Sequence, residues 1–272
     1  MVLRRCREAD ISSNARLKLY PDMSILQVAN DNLFHESGWE SVGNHARGYS
    51  VPKKGEAKNP QRALESSMHR AKAAIRDIAM CNHFPYFFTG TLSPEVVDRK
   101  NVDAVYKKVS NFLRNSVYRK GFQYGIVPER HKDGAIHFHG LCDLGSMKIV
   151  RAVNPHTNQE LSTDHGHPIY NLVDWRLGFS TCIPIDENYQ RTCNYITKYI
   201  TKDTQKIFGK WYLSSRNIQK RPELILLDNI DYDSFVASNS DAFEIPVYRD
   251  IRICQKQLLN TSGNVISVPD FL

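Results

Sequence analysis

Apolar residues recur along the chain with two different periods, and the switches between them mark the elements. From Gln61 to about Met80, Leu64, Met68, Ala71, Ile75 and Ile78 follow helical spacing, with Arg62, Arg70, Lys72 and Arg76 between them. That pattern predicts a basic amphipathic helix. Phe84–Leu92 is aromatic and β-branched and predicts a strand. Its alternation sends Phe88, Gly90 and Leu92 to a core and Thr89 and Thr91 to an open face. Val102–Tyr118 reads as a helix on Val105, Val109, Phe112, Leu113 and Val117. Phe122–Glu129 and Ala135–Cys142 read as strands around a Lys-Asp-Gly turn.

Further on, the polar stretch Met147–Pro168 reads as a loop-like insertion, Phe179–Ile185 as a strand, Glu187–Lys202 as a helix and Trp211–Ser214 as a short strand. The first sixty residues show no sustained period, and Pro52–Pro60 looks like a basic linker. The order predicts an α+β fold, an antiparallel sheet of about five strands in a split βαβ layer. Helices on one face would leave the other face available. The corresponding segments are a basic N-terminal extension (1–60), a central domain (61–222) and an acidic C-terminal extension (223–272).

Charge sharpens that division. Residues 1–222 hold 33 basic and 21 acidic groups, whereas residues 223–272 hold 3 and 8. The first part suits a polyanion such as nucleic acid, and the last fifty residues are expected to stay clear of it. No stretch is apolar over the roughly 18 residues that span a bilayer, and the N-terminus lacks the apolar core of a signal peptide, so a soluble, cytoplasmic protein is expected. The six cysteines form no C-x-x-C pair, which argues against a structural zinc site and for buried free thiols.

Candidate chemistry concentrates in two patches. In His137-Phe138-His139 both imidazoles point to one face of a strand, half of a divalent-cation site. Taken alone, such a pair is more often structural. Glu129 on the preceding strand can join it only under one hairpin parity. A two-residue Asp133-Gly134 turn would pair Arg130 with His137 and send Glu129 to the far face. A three-residue Lys132-Asp133-Gly134 loop, with Gly134 left-handed, pairs Glu129 with His137 directly.

The second patch is the tandem Tyr195-Ile-Thr-Lys198-Tyr199-Ile-Thr-Lys202. In a helix, four-residue spacing sets Tyr195 over Tyr199 and Lys198 over Lys202. A phenol is only about 0.1% ionised at neutral pH, and a lysine one turn away favours its phenolate or the phosphate it attacks. By itself, the pair could equally be tyrosines capping the core of an amphipathic helix.

In this order, Phe87–Leu92, His137–His139 and Tyr195–Lys202 resemble the three motifs of the HUH endonucleases that initiate rolling-circle replication. Val127–Leu141, Asp174–Ser180 and Trp211–Pro222 are similar to segments in the initiators of small single-stranded-DNA bacteriophages and related plasmids. The likeness covers about residues 62–222, and Gly90 departs from the bulky residue usual in the first motif. It implies an HUH palm with the nucleophile helix beside the His-x-His strand. It further implies Glu129, His137 and His139 as ligands of Mg²⁺ or Mn²⁺, and tyrosine attack on DNA to leave a 5′-phosphotyrosyl link and a free 3′-OH. Tyr199 with Lys202 is the unit such phage proteins more regularly retain.

The expected partner is single-stranded DNA at a replication origin, with Thr89, Thr91, Lys148, Arg216, Lys220 and Arg221 as contact candidates. No G-x-x-x-x-G-K-[ST] motif occurs, so unwinding falls to a host helicase and extension to a host polymerase, with the protein a monomer in the bacterial cytoplasm. Transposases and relaxases share this chemistry, although the relaxase pattern adds a third histidine to the motif. A non-catalytic, basic single-strand-binding protein remains the alternative from another class.

Overall fold

The computed structural model describes residues 13–34, 56–185, 189–202, 206–248 and 251–259. In chain order the strands are β1 (Ala15–Leu19), β2 (Met23–Ala29), β3 (Tyr86–Thr91), β4 (Gln123–Arg130), β5 (Ile136–Asp143), β6 (Ile149–Arg151), β7 (Tyr170–Leu172), β8 (Ser180–Pro184), β9 (Leu213–Ser214), β10 (Glu223–Leu227), β11 (Phe243–Tyr248) and β12 (Ile251–Leu259). The helices are α1 (Pro60–Asn82), α2 (Val102–Lys120), α3 (Tyr189–Ile196), α4 (Tyr199–Lys202) and α5 (Tyr232–Ser238). They form two compact units, residues 59–221 and the two flanks together.

The flanking unit is one antiparallel sheet in the order β10-β1-β2-β12-β11. Three of its five strands come from the acidic C-terminal segment, and the two from the first sixty residues lie among them. On one face Ala15, Leu17, Leu26, Val28 and Leu227 pack with Tyr232 and Phe235 of α5. On the other, Arg16 Nε donates to Gln27 Oε1 (2.8 Å) and Gln27 Nε2 to Gln255 Oε1 (2.8 Å), a buried polar row across three strands. β1 thus alternates apolar residues on one face with buried Arg16 and Lys18 on the other, where β2 sets Gln27 among buried Met23, Ile25 and Ala29. That defeats a reading of burial from hydrophobicity.

The central unit is a seven-stranded antiparallel sheet ordered β6-β7-β8-β3-β5-β4-β9, two strands more than expected. The additional strands include β6, inside the segment read as a loop, and β7. Each is only three residues long, too short to show a period. The central elements form where periodicity puts them, and caps fix their ends. Asn59 accepts from Arg62 N (3.0 Å) at the start of α1, and Asn101 from Ala104 N (3.0 Å) at the start of α2. Gly121, left-handed, ends α2.

Helices cover both faces of this sheet rather than one. Val105, Val109 and Leu113 of α2 bury one face with Phe88, Ile126, Phe138, Cys142 and Trp175. On the opposite face α1 crosses β4 at Gly125, where Ile75 Cδ1 would lie 3.1 Å from any Cβ, and α3 and α4 pack beside it. The reason is visible in β4 and β5, which are buried along most of their length on both sides. Of the cysteines, Cys81, Cys142, Cys182, Cys193 and Cys254 are buried free thiols; Cys6 lies outside the described residues.

Gly90 now has a packing explanation. A Cβ there would lie 2.8 Å from Phe88 Cζ and 2.9 Å from Trp175 Cζ2, two rings that meet edge-on at 5.4 Å. The indole and phenyl fill the volume a bulkier residue would occupy. Gly90→Ala should therefore lower stability by about 1–3 kcal/mol through overpacking. In urea unfolding the midpoint should fall with an unchanged slope; an unchanged midpoint would mean the rings move aside freely.

Candidate functional site

The site begins with the hairpin between β4 and β5. His131 N donates to Ala135 O (2.9 Å) and Gly134 N to His131 O (2.8 Å), closing a three-residue Lys132-Asp133-Gly134 loop. Gly134 has φ +86°, open only to a residue without a Cβ penalty. The Asp133 carboxylate accepts from Ala135 N (3.0 Å), which holds its carboxyl below the usual range. The resulting register opposes Glu129 to His137 and Arg130 to Ile136, so the two-residue turn is excluded.

On the other side of β5, Thr91 opposes His137 and Thr89 opposes His139. The Thr91 hydroxyl lies 3.3 Å from His137 Nδ1, and that of Thr89 3.2 Å from His139 Nδ1. Each ring is thus held through one nitrogen, the support that metal-binding imidazoles generally require. Burial, then the neighbouring His131, lowers the pKa of His137. His139 Nε2 lies 3.1 Å from Glu129 Oε2. Two adjacent ligands of an octahedral ion with bonds near 2.1 Å stand about 3 Å apart, so this pair has the spacing of one coordination edge. Among the described residues no three His, Cys, Asp or Glu side chains are gathered into a ready-made cage. The donor set nonetheless fits a divalent ion chemically, with two imidazoles and a carboxylate on one face.

The tyrosines arrive on this same face, but not on one continuous helix. The chain turns at Thr197-Lys198 between α3 and α4. The Thr197 hydroxyl donates to Asn194 O (2.7 Å), and Lys198 N bonds back to Tyr195 O (3.0 Å), a tighter turn than an α-helix makes. α3 is anchored by Tyr189, whose hydroxyl accepts from Phe84 N (2.9 Å) and donates to Ala79 O (2.8 Å).

Tyr199 lies flat on His139, ring centroids 4.2 Å apart, and its hydroxyl donates to the Tyr195 oxygen at 2.9 Å. The two phenol rings meet edge-on at 5.4 Å. Tyr195 is 45% exposed and Tyr199 7%. Burial, followed by its bond to Tyr195, raises the pKa of Tyr199 well above the ordinary value. Lys198 Nζ stands 5.3 Å from the centre of the Tyr195 ring. The side chain of Lys202 lies outside the described residues.

Glu129, His137, His139, Thr89, Thr91, Tyr195, Tyr199 and Lys198 are therefore brought together. Four other candidates are not. Arg216, Lys220 and Arg221 follow β9, where Asn217 O accepts from Gln123 Nε2 (3.1 Å) at the start of β4. Six residues of strand separate Gln123 from Glu129, about 20 Å. Lys148 precedes the edge strand β6, four strands from β5.

Two members of the site escaped the sequence. His131, on the same face as Glu129, stacks on His137 at 3.7 Å. Continuing the parity argument by one pair would have found it. Phe87 sits among His139, Tyr195 and Tyr199, with ring centroids 6.5, 5.8 and 6.3 Å away. It shares the face of Thr89.

A family model for the ORF2-type replication-associated proteins matches residues 85–204. Over these residues the chain is similar to that family of rolling-circle replication initiators. The family segment opens at β3 and closes just beyond the tyrosine pair, so the whole convergent site lies inside it. Arg216, Lys220 and Arg221 lie beyond its end. No curated protein and no solved structure matches the chain significantly. No helix among the described residues is long and apolar enough to cross a membrane.

The unequal burial of the two phenols can be measured directly. Limited nitration with tetranitromethane should modify Tyr195 and spare Tyr199. Tryptic cleavage after Lys198 separates the two for mass spectrometry. Equal modification would show that the Tyr199 stack on His139 opens readily.

Proposed function

We propose that this replication-associated segment nicks and rejoins single-stranded DNA at a replication origin by metal-dependent tyrosine attack. The observation that carries this reading is the stack of Tyr199 on His139, whose Nε2 lies 3.1 Å from Glu129 Oε2: nucleophile candidates and metal-donor candidates share one strand face. A non-catalytic binding protein has no need of that convergence. When bound to Glu129, His137 and His139, Mg²⁺ or Mn²⁺ supplies a Lewis acid at the scissile phosphate.

The chain's own groups account for the remainder. Tyr195 is the more exposed phenol and receives a hydrogen bond from Tyr199, so it is the phenol placed to attack first. Its oxygen loses the phenol proton and bonds to phosphorus as the bond from phosphorus to the 3′ oxygen breaks. The 3′ oxygen takes up a proton from solvent, so the exchange leaves the 5′-phosphotyrosyl link and a free 3′-OH with no net change in protons. Lys198, beside the Tyr195 ring, offsets negative charge at the attacking end. Because the phosphoester is exchanged and not hydrolysed, rejoining needs no ATP. Tyr199 serves the second cut, once its ring leaves His139. Host helicase and polymerase complete the cycle. Thr89 and Thr91 hold the imidazoles, and the exposed Lys148, Arg216, Lys220 and Arg221 meet the DNA backbone away from the cut.

The test is a covalent adduct. With Mn²⁺ and a library of single-stranded oligonucleotides, the protein should form an SDS-resistant complex that EDTA abolishes. Tyr195→Phe should slow the first adduct at least about tenfold. Tyr199→Phe should nick but fail in repeated transfer, and the double variant should form no adduct. Binding without any adduct would overturn the reading in favour of a non-catalytic protein. Thr89→Val, which leaves every donor in place, should weaken Mn²⁺ binding by about 10–100-fold in calorimetry.

A further inference from the structure

The segment Asp174–Ser180 has no role in the site as described, yet it is tied tightly to it. Trp175 Nε1 donates to Thr91 O (3.0 Å), Thr91 N to Phe179 O (2.8 Å) and Ser93 N to Leu177 O (2.8 Å). Gly178, with φ +153°, passes so close to β3 that a Cβ would lie 2.4 Å from Thr91 O. A Cβ cannot be accommodated there. This clamp fixes the residue that follows, Phe179, beside Thr91.

Strand alternation then decides where Phe179 points. Ser180 and Cys182 are buried, Cys182 within the α2-side core, and the Ser180 hydroxyl accepts from Leu172 N (3.0 Å). Phe179 lies with Thr181 on the other face, the face of His137 and His139. It is 56% exposed and makes no ring contact among the described residues. Thr91 separates it from His137, so it stands two strands, about 10 Å, from the imidazole. Further along the same row, Val173 is exposed and its N–H donates to Lys148 O (2.9 Å).

We propose that Phe179 is a stacking platform for an unpaired nucleobase next to the scissile phosphate, with the strand continuing toward Lys148. This rests on the proposed strand transfer for its substrate. A large aromatic ring held by a rigid clamp, open to solvent beside a phosphate-chemistry site, is what a flattened base requires. Such stacking tolerates any base, because every base has a π face. The ring fixes the position of the strand on the sheet, and Thr89, Thr91 and the imidazoles stay free of that task.

Binding is read without metal, where no cleavage intervenes. In EDTA, fluorescence anisotropy of the full chain with a labelled single-stranded oligonucleotide of mixed sequence should show Phe179→Ala binding about 5- to 150-fold more weakly. Phe179→Trp should restore affinity. On an abasic strand of equal length the wild type and Phe179→Ala should bind alike, because backbone contacts alone remain. Equal affinity of Phe179→Ala and wild type for the normal strand would overturn the proposal. So would a loss that persists on the abasic strand. Failure of strand transfer is a separate result: no Mn²⁺-dependent adduct, while the base-dependent Phe179 effect is retained.

Discussion

The site depends on a single register. Glu129, His137 and Thr91 occupy one row across β4, β5 and β3, with Val127, His139 and Thr89 in the next. Side chains alternate with period two, so a slip of one residue between β4 and β5 would send Glu129 to the face of Phe138 and Ile126. A carboxylate there would be buried among apolar groups with nothing to offset its desolvation. The loop at Gly134 and the buried core on the α2 side therefore enforce the same register from opposite directions. Chemistry on one face is held in place by packing on the other.

The two faces differ in what they ask of their helices. α2 covers its side with an apolar stripe, and Trp175 completes that core against Phe88, Phe112 and Phe138. On the His face, α1 lies against β4 at Gly125 and packs with α3. Tyr189 ties the two helices together there, with its ring stacked on His83 at 4.7 Å. The row from Glu129 to Phe179 is left near the rim of this cover. Burial there is enough to lower the pKa of His137 and to raise that of Tyr199, while Tyr195 and Phe179 keep access to solvent.

The central unit is legible in the sequence because its elements are long enough to show a period. α1, α2, β3, β4 and β5 begin and end within two residues of where the apolar pattern and the caps put them. The hairpin parity reduces a question of geometry to a choice between two loops, and the glycine at 134 is what the correct one needs. The flanks are illegible for a physical reason. β1 and β2 bury Arg16, Lys18 and Gln27, so their hydropathy does not report their burial. Their sheet is completed by strands more than two hundred residues away, pairings that no local window contains. The break at Thr197 is hidden differently: Ile-Thr-Lys repeats at perfect helical spacing, and only the competing hydroxyl bond to Asn194 interrupts it.

That break also changes what two tyrosines mean. On an unbroken helix the phenols would be near-equivalent, displaced by one turn. Here the turn sets them at right angles and unequal in burial, and it leaves one hydroxyl donating to the other. A proton held between two phenols distinguishes a donor from an acceptor. The desolvated member is stacked on an imidazole and cannot ionise cheaply where it lies. Inequivalence in the resting state is thus compatible with two nucleophiles only if consuming the first releases the second. In the proposed strand transfer, esterification of Tyr195 would turn its acceptor oxygen into a bridging ester oxygen, a poorer acceptor. On that proposal the bond that orients Tyr199 would be weakened by the first cut itself, and the order of the two cuts would follow from the hydrogen bond between them.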